Sequence, residues 1–275
     1  MHNDIHDLHR FYDSPLGHVA RRMIRRRLRV LWPDVRGDVV LGLGYATPYL
    51  GPFVEEAERT LALMPAGQGV SGWPRGGAMR VALTEEGELP LPDYSVDRVI
   101  LVHGMETTEL RQHLLAEIWR VMAGTGRLIV VAPNRRGLWS HTDSTPFGHG
   151  HPFSASQLKR VLTEYQFLPE RVDRALFVPP LRSRVLLGAA PAWEKVGHRW
   201  FEGFGGVLLL ECAKRIYRTA GTRSRPRLAR PVLLPRPHAA HGCDLSRLAQ
   251  PRPLPLPLPP VPSAEPAGSR PAAAA

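Results

Sequence analysis

Apolar and polar positions in residues 89–134 follow a pattern that predicts a strand, a helix and a second strand. The run Val96–Val102 is mostly apolar and rich in β-branched residues, which is typical of a strand buried on both faces. Apolar residues then recur at helical spacing over residues 110–122, with polar side chains between them. Two glycines at 124–126 are expected to end this helix in the left-handed conformation, before a second buried strand at 128–131.

Strands and helices also alternate on both sides of this block. The other expected strands lie at 38–43, 60–64, 78–83, 171–178 and 207–212. The turn at 44–48 is expected to lead into a helix that includes Glu55, Glu56 and Glu58. Such alternation predicts a parallel, doubly wound sheet, in which ligands bind beyond the carboxyl ends of the strands.

Residues 1–36 are expected to form a basic helical segment. Ser14 can cap a helix whose first turn contains Pro15. Six arginines lie opposite the apolar face of this helix, at positions 21, 22, 25, 26, 27 and 29. Because no aromatic residues interleave with them, a solvated helix face is favoured over a stripe that binds nucleic acid.

The composition changes sharply after residue 218. Residues 219–275 are rich in proline, arginine and alanine, cannot form a core, and are expected to be disordered or to adopt polyproline II structure. This tail contains eight arginines against two acidic residues, so it supplies about half of the net charge of +11. A basic, proline-rich tail can bind an SH3-type protein partner, although most such tails bind nothing in particular.

The two cysteines and the N-terminus bear on the compartment. Cys212 and Cys243 show neither metal-binding spacing nor a disulfide framework, which fits a reducing cytosol. The N-terminus has no apolar signal segment, and no apolar run is long enough to span a membrane. We therefore expect a soluble, cytoplasmic protein.

The segments LPLPDYSVDRVI and EIWRVMAGTGRLIVVAPN resemble the post-II region of class I S-adenosylmethionine-dependent methyltransferases of the type 11 branch. In that family an LPF-D-S-F-D stretch precedes a strand, a helix ending in R-V-L, a P-G-G turn and a further strand. The resemblance covers residues 11–218, and WFEGFGGVLLLECAKRIYR is typical of how these enzymes end. It implies a Rossmann-like α/β domain at 37–218, with seven strands, mostly parallel, and an antiparallel final hairpin.

The resemblance also implies a binding site for S-adenosylmethionine. In the family, a glycine turn after the first strand lets the backbone approach the cofactor closely. The positions that match the family's cofactor-binding residues are Gly42, Gly44, Ala46, Met64, Glu85, Leu89 and His103. His103 follows the fourth strand, where the family lines donor and acceptor, and is the candidate catalytic residue. A histidine that is only hydrogen-bonded at a strand end is an equal alternative.

Several of these positions depart from the family's V-L-D-x-G-x-G-x-G pattern. Gly42 stands at the acidic position, and Ala46 and Pro48 replace the second and third glycines. Met64 stands near the end of the second strand, so the carboxylate that would accept the ribose hydroxyls is absent. A dinucleotide site fits less well, because Thr47 occupies the place of its third glycine and no acid follows at the required distance.

The loop after the fifth strand carries His141, Asp143, His149 and His151. Their spacing matches no recognised metal site, and we expect no metal. As residues that line an acceptor pocket they are more plausible, because this loop borders the site. The favoured function is transfer of a methyl group from S-adenosylmethionine to a small molecule that the sequence does not identify. A methyltransferase fold that has lost catalysis and serves as a regulatory or binding module is the second hypothesis, and nucleic-acid binding is the least favoured.

Overall fold

The computed structural model describes residues 4–74, 76–181 and 183–215, so the predicted tail at 219–275 lies outside the described residues. The helices are α1 Ile5–Tyr12, α2 Pro15–Leu31, α3 Thr47–Leu50, α4 Arg111–Val121, α5 Ala155–Glu164, α6 Arg184–Gly188 and α7 Ala190–Trp200. The strands are β1 Val39–Gly44, β2 Arg59–Pro65, β3 Val81–Thr84, β4 Val96–Val102, β5 Met122–Pro133, β6 Phe167–Ala175 and β7 Val207–Lys214. Among these elements, no helix is long and apolar enough to cross a membrane.

The seven strands form one sheet in the order β3-β2-β1-β4-β5-β7-β6. The first five strands in this order are parallel, and β7 runs antiparallel to both of its neighbours. Strands β1 and β4 are direct neighbours, with Gly42 opposite Ile100. The predicted mostly parallel sheet with an antiparallel final hairpin is therefore confirmed.

Apolar side chains cover both faces of the sheet, as the near-continuous apolar strands predict. On one face, Val40, Met64 and Ile100 pack with side chains of α1, α2 and α3. On the other face, Leu41 and Val99 belong to a second buried cluster with residues of α4 and α5. Two helical layers thus cover the faces of the sheet. The loops that follow the strands lie at the carboxyl ends of the parallel strands.

The basic segment at the N-terminus folds into two helices rather than one. Ser14 caps α2, accepting a hydrogen bond from the backbone N–H of Gly17, with Pro15 in the first turn as predicted. The pattern did not predict α1, which is capped by Asp4. Three of the six arginines of α2 pair with other parts of the chain, namely Arg25 with the Pro48 carbonyl, Arg27 with Asp173 and Arg29 with Glu56.

The helix predicted after the turn at 44–48 is wrong in its length. Helix α3 ends at Leu50, and Gly51–Phe53 forms a single 3-10 turn, so Glu55, Glu56 and Glu58 are not helical. Pro52 has no N–H to donate to the Pro48 carbonyl, which would be its partner in a continuing helix. That carbonyl instead accepts a hydrogen bond from Arg25 Nε at 2.6 Å.

The glycine stop predicted after α4 is also wrong. The helix ends at Val121, and Met122 already has extended backbone angles of φ −69° and ψ 136°. Gly124 and Gly126 lie inside β5, and neither has a positive φ. Met122 is held extended because it pairs with Val96 at the start of β4, so strand pairing ends the helix before either glycine is reached.

Candidate functional site

The carboxyl ends of β1, β2 and β4 meet where the chain connections diverge. From β1 the sheet extends through β2 on one side and through β4 on the other. Open α/β sheets bind their ligands at such a point. Helix α1 and the loop at 142–149 cover it, because Phe11 and Tyr12 pack in the same buried cluster as Tyr45 and Phe147.

The turn after β1 is filled by the protein's own atoms. Gly44 has a φ of +70°, and a Cβ there would collide with the Val102 carbonyl oxygen. A Cβ on Gly42 would lie 2.7 Å from Leu50 Cδ1 and 2.8 Å from the Ala46 methyl group. Both glycines are therefore required by the contacts of β1 with β4 and α3. This requirement is independent of any ligand.

A small apolar cavity lies beside this turn, at the ends of β1, β2 and β3. It is lined by Leu43, Gly44, Leu63, Pro65, Thr84, Glu86, Leu89, Leu101, Gly104 and Leu114 and has a volume of about 10 Å³. This volume holds about one water molecule. Leu89 lies in its wall, whereas Glu85 is exposed. The neighbouring Glu86 is the buried acid and accepts a short hydrogen bond from the Thr108 hydroxyl.

Met64 and Gln68 mark the end of β2. Met64 is fully buried in the apolar cluster, so this end of the strand presents no carboxylate. Gln68 lies three residues beyond the strand and is held by its backbone, which accepts from Ile5 N and donates to Pro65 O. Its side chain is buried, yet neither its oxygen nor its nitrogen has a hydrogen-bond partner among the described residues. An unpaired buried amide costs free energy, which a polar ligand would recover.

A chain of buried hydrogen bonds crosses the end of β4. The Tyr49 and Tyr12 hydroxyls are 2.6 Å apart, and the Tyr12 hydroxyl lies 2.8 Å from His103 Nε2. His103 Nδ1 lies 3.1 Å from Glu106 Oε1. Because an ionised carboxylate only accepts, Nδ1 carries the proton, and Nε2 accepts from Tyr12. The chain thus fixes the tautomer of His103.

The backbone and the surrounding rings position this histidine. His103 has a φ of +53°, in the left-handed region that few residues other than glycine adopt. The Phe147 ring lies 4.8 Å from the imidazole, centroid to centroid, and Tyr12 lies 5.9 Å from it. His103 and Glu106 are both buried. The imidazole is therefore shielded from water on the side of α1.

Burial keeps the two tyrosines of the chain protonated. Desolvation raises the pKa of Tyr12 well above its usual 10.0, and the neighbouring Tyr49 raises it further. Desolvation also raises the pKa of Tyr49, against smaller opposing effects of the hydrogen bond with Tyr12 and of Arg25. Both phenols are neutral hydrogen-bond donors at physiological pH.

Only one of the two carboxylate oxygens of Glu106 has a hydrogen-bond partner among the described residues. Oε1 faces His103, while Oε2 is buried and has no hydrogen-bond partner among the described residues. A buried carboxylate oxygen without a donor is costly. Because Glu106 lies at the end of β4, a donor group on a bound molecule would pair it.

A larger cavity of about 610 Å³ lies between α1, the loop after β5 and α6. Asp143 and His149 line it, together with Phe11, Pro146 and Leu187. His141 and His151 are exposed and do not line it. No group of three or more metal-ligating side chains occurs within the described parts of the chain.

The structure brings together part of the predicted site. Gly42, Gly44, Ala46 and His103 lie at the ends of β1 and β4, Met64 lies near the end of β2, and Leu89 lies in the connection between β3 and β4. Sequence reasoning did not select Tyr49, Gln68, Glu86 or Glu106 as site residues. A usable signal existed only for Glu106, because it lies three residues after His103, in the loop that follows β4.

Comparison with known proteins agrees with this architecture. Residues 47–130 match a family described as a methyltransferase domain. A demethylmenaquinone methyltransferase of Thermus thermophilus is 26% identical over 156 residues, which cover 56% of this chain and 63% of the relative. The match therefore spans less than two thirds of that relative's length.

Solved structures show the same fold at low identity. An S-adenosylmethionine-dependent methyltransferase of Thermotoga maritima aligns over 77% of this chain and 96% of its own, with 16% identity and a TM-score of 0.54. Another, from Archaeoglobus fulgidus, aligns over 74% of this chain and 96% of its own, with 19% identity and a TM-score of 0.51. At these identities the likeness establishes the fold.

Proposed function

The chain has the class I methyltransferase fold and matches the methyltransferase-domain family over residues 47–130, and from that premise we propose that it is an S-adenosylmethionine-dependent methyltransferase acting on a small molecule in the cytoplasm. The observation that carries this proposal is the buried chain from Tyr12 through His103 to Glu106. These buried polar groups, with Glu106 Oε2 left without a hydrogen-bond partner among the described residues, lie where this fold binds ligands. Catalysis is a sufficient reason for a protein to keep them.

The residues at the three strand ends fit the parts of S-adenosylmethionine. Leu89 and Glu86 would flank the adenine, and the unpaired amide of Gln68 would meet the ribose hydroxyls in place of the absent carboxylate. The turn at Gly44 would lie under the methionine portion. When bound, the cofactor supplies an electrophilic methyl group on sulfur. Because the cavity beside Leu89 holds about 10 Å³, binding requires α1 and the segment around Gln68 to move outwards.

His103 is proposed as the general base. Its Nδ1–H is held by Glu106, so the lone pair of Nε2 points to the Tyr12 hydroxyl. An acceptor hydroxyl or amine that takes the place of that hydroxyl would deliver its proton to Nε2 as it bonds to the methyl carbon, whose bond to sulfur would break to leave a neutral thioether. Glu106 would stabilise the resulting imidazolium. Positioning and exclusion of water by Phe147 and α1 would supply the remainder of the rate.

The acceptor is proposed to enter through the cavity of about 610 Å³. Phe11 lines this cavity and packs 6.2 Å from Phe147, whose ring in turn contacts His103. A movement of α1 would therefore open the cofactor position and connect this cavity to the imidazole. The volume suits a small molecule.

A second candidate is a binding module that retains the fold without catalysis. It is supported by Gly42 and Met64 at the positions where the family has acids, and by the small size of the cavity beside Leu89. Such a protein would use the same surface for regulation. A protein partner at the tail would be compatible with either candidate, and nucleic-acid binding has less support than both.

Titration calorimetry with S-adenosylmethionine and S-adenosylhomocysteine separates the two candidates. An active enzyme should bind both, with an affinity about ten- to a hundredfold weaker than that of a relative that keeps the ribose acid. Gln68→Leu should weaken binding by a further factor of about ten. Gln166→Leu is the matched control, because Gln166 also has a buried unpaired oxygen but lies beside β6. If the protein binds neither ligand at millimolar concentration, the methyltransferase proposal is rejected in favour of the binding module.

A further inference from the structure

Exposed apolar side chains are concentrated in the excursion between β6 and β7. Of 15 large apolar side chains that are exposed among the described residues, seven lie between positions 181 and 204. Four of these are aromatic, Trp193, Trp200, Phe201 and Phe204, and they are 39–71% exposed. Single exposed apolar residues need no explanation, whereas a contiguous group marks an interaction surface.

Helix α7 shows why these residues are not part of the core. Ala190, Glu194 and Gly197 form its buried face, and Gly197 packs directly against the Phe177 ring. Trp193, Val196 and Trp200 recur at steps of three and four, so they form a second apolar strip beside the buried one. We refer to Trp193, Val196, Trp200, Phe201 and Phe204 as the α7 face.

Positive charge borders this face. Lys195 and Arg199 are exposed on the side of α7 that points away from the core, and the Arg199 guanidinium lies 5.9 Å from the centroid of the Trp200 ring. Lys195 also lines a cavity of about 240 Å³ with Arg26 of α2. Cations on the polar side of a helix and tryptophan on its apolar side are typical of helices that lie in a membrane interface.

The nearby acids do not offset this charge. The Glu194 carboxylate is buried and accepts from the backbone N–H of Phe177 at 2.8 Å. Asp173 is paired with Arg27, and Glu202 with Arg174. The exposed Lys195 and Arg199 therefore border the α7 face without an ion-pair partner among the described residues.

We propose that the α7 face docks on an anionic lipid bilayer, with the aromatic rings in the headgroup region and Lys195 and Arg199 against the phosphates. The positive border matches the negative surface of such a bilayer. The face lies on the exposed side of α7 and of the 3-10 turn that follows it. No described helix can span a membrane, so the contact would be peripheral.

Vesicle co-sedimentation of the full chain tests this proposal. Vesicles of equal parts phosphatidylcholine and phosphatidylglycerol should bind the protein, and vesicles of phosphatidylcholine alone should bind it less well. Replacing the two most central rings, in the double variant Trp200→Ser and Phe201→Ser, should lower the partition coefficient by at least about tenfold. Lys195→Glu should lower it by about fivefold or more on the anionic vesicles alone.

Two further comparisons decide between occupants of the face. Met79→Ser with Leu168→Ser replaces two other exposed apolar residues, 65% and 50% exposed, and should leave vesicle binding unchanged. Arginines in residues 219–275 attract anionic lipid in every variant alike, so differences between variants report on the α7 face. The proposal is overturned if the wild type does not sediment with anionic vesicles, or if the double variant binds them as the control does. It is also overturned if the double variant instead abolishes a dimer of the wild type seen by light scattering.

Discussion

The ends of β1 and β4 lie side by side in the sheet and differ in what fills them. At the end of β1, the absence of a side chain on Gly42 lets Leu50 and Ala46 approach closely, and its absence on Gly44 does the same for the Val102 carbonyl. Apolar and backbone atoms therefore occupy the turn. At the end of β4, His103 and Glu106 are buried polar groups in a hydrogen-bonded chain that extends to Tyr12. The half expected to hold the cofactor lacks acids at the positions where the resembled family has them, whereas the half expected to carry the chemistry contains buried polar groups.

The difference separates two requirements that the family's motif combines. A glycine after β1 can be required by the fold alone, because the close contact of Gly44 with Val102 exists without a ligand. The buried pair of His103 and Glu106 is held by a hydrogen bond rather than by such a steric requirement, and Glu106 Oε2 has no hydrogen-bond partner among the described residues. Polar groups are therefore the better indicator of a retained activity, and substitutions at the two strand ends should behave differently.

Met64→Asp should have the largest effect. It removes a fully buried side chain and leaves a carboxylate in the apolar cluster, so the free energy of unfolding should fall by about 4 kcal/mol. Urea denaturation measures this change. Met79→Asp, at a 65% exposed position, should stay within about 0.5 kcal/mol of the wild type. Saturating S-adenosylhomocysteine should reduce the Met64→Asp loss, because the new acid would accept from the ribose. A loss that is the same with and without ligand would show that position 64 does not face the ribose.

Gly44→Val should have the second largest effect. Backbone strain and the collision with Val102 should lower the free energy of unfolding by about 3 kcal/mol. Gly37→Val is the matched control, because Gly37 also has a positive φ, of +78°, but a Cβ at this position would have no other atom within 4 Å. The midpoint temperature of thermal unfolding should therefore fall more in Gly44→Val than in Gly37→Val. Equal losses would contradict the role of the Val102 contact.

Tyr12→Phe should cost about 1–2 kcal/mol of stability, because it leaves His103 Nε2 buried without its donor. Tyr94→Phe, at a position that is 60% exposed, should be neutral. Guanidinium denaturation monitored by circular dichroism would measure both variants. If the two variants are equally stable, the hydrogen-bonded chain contributes nothing to the fold.

The smallest effect concerns the titration of Tyr12, and it appears only at alkaline pH. Its pKa is raised by burial above the usual 10.0, so above pH 10 the unfolded chain releases a proton that the folded chain retains. Stability should therefore fall as the pH rises beyond 10, and less steeply in Tyr12→Phe than in the wild type. Denaturation curves at pH 8, 10 and 11 measure these slopes. Identical slopes would place Tyr12 in contact with solvent.

The sequence predicted the sheet better than it predicted the site. β-branched runs and the cap at Ser14 are local signals, so most elements and the neighbouring positions of β1 and β4 were correct. The predicted length of the helix after Pro48 was wrong, because the end of this helix depends on Pro52 and on an arginine that is distant in the sequence. Tyr12 and His103 are separated by 91 residues, and no local pattern indicates that they touch.

Ultraviolet crosslinking with methyl-tritiated S-adenosylmethionine tests the central claim most directly. Binding at the ends of β1 and β4 predicts that the label lies in peptides containing residues 44–49 or 103–106. An excess of S-adenosylhomocysteine should prevent this labelling, and Gln68→Leu should weaken it. A label spread over the chain, or one that S-adenosylhomocysteine does not displace, would contradict a methyl-donor site in this fold.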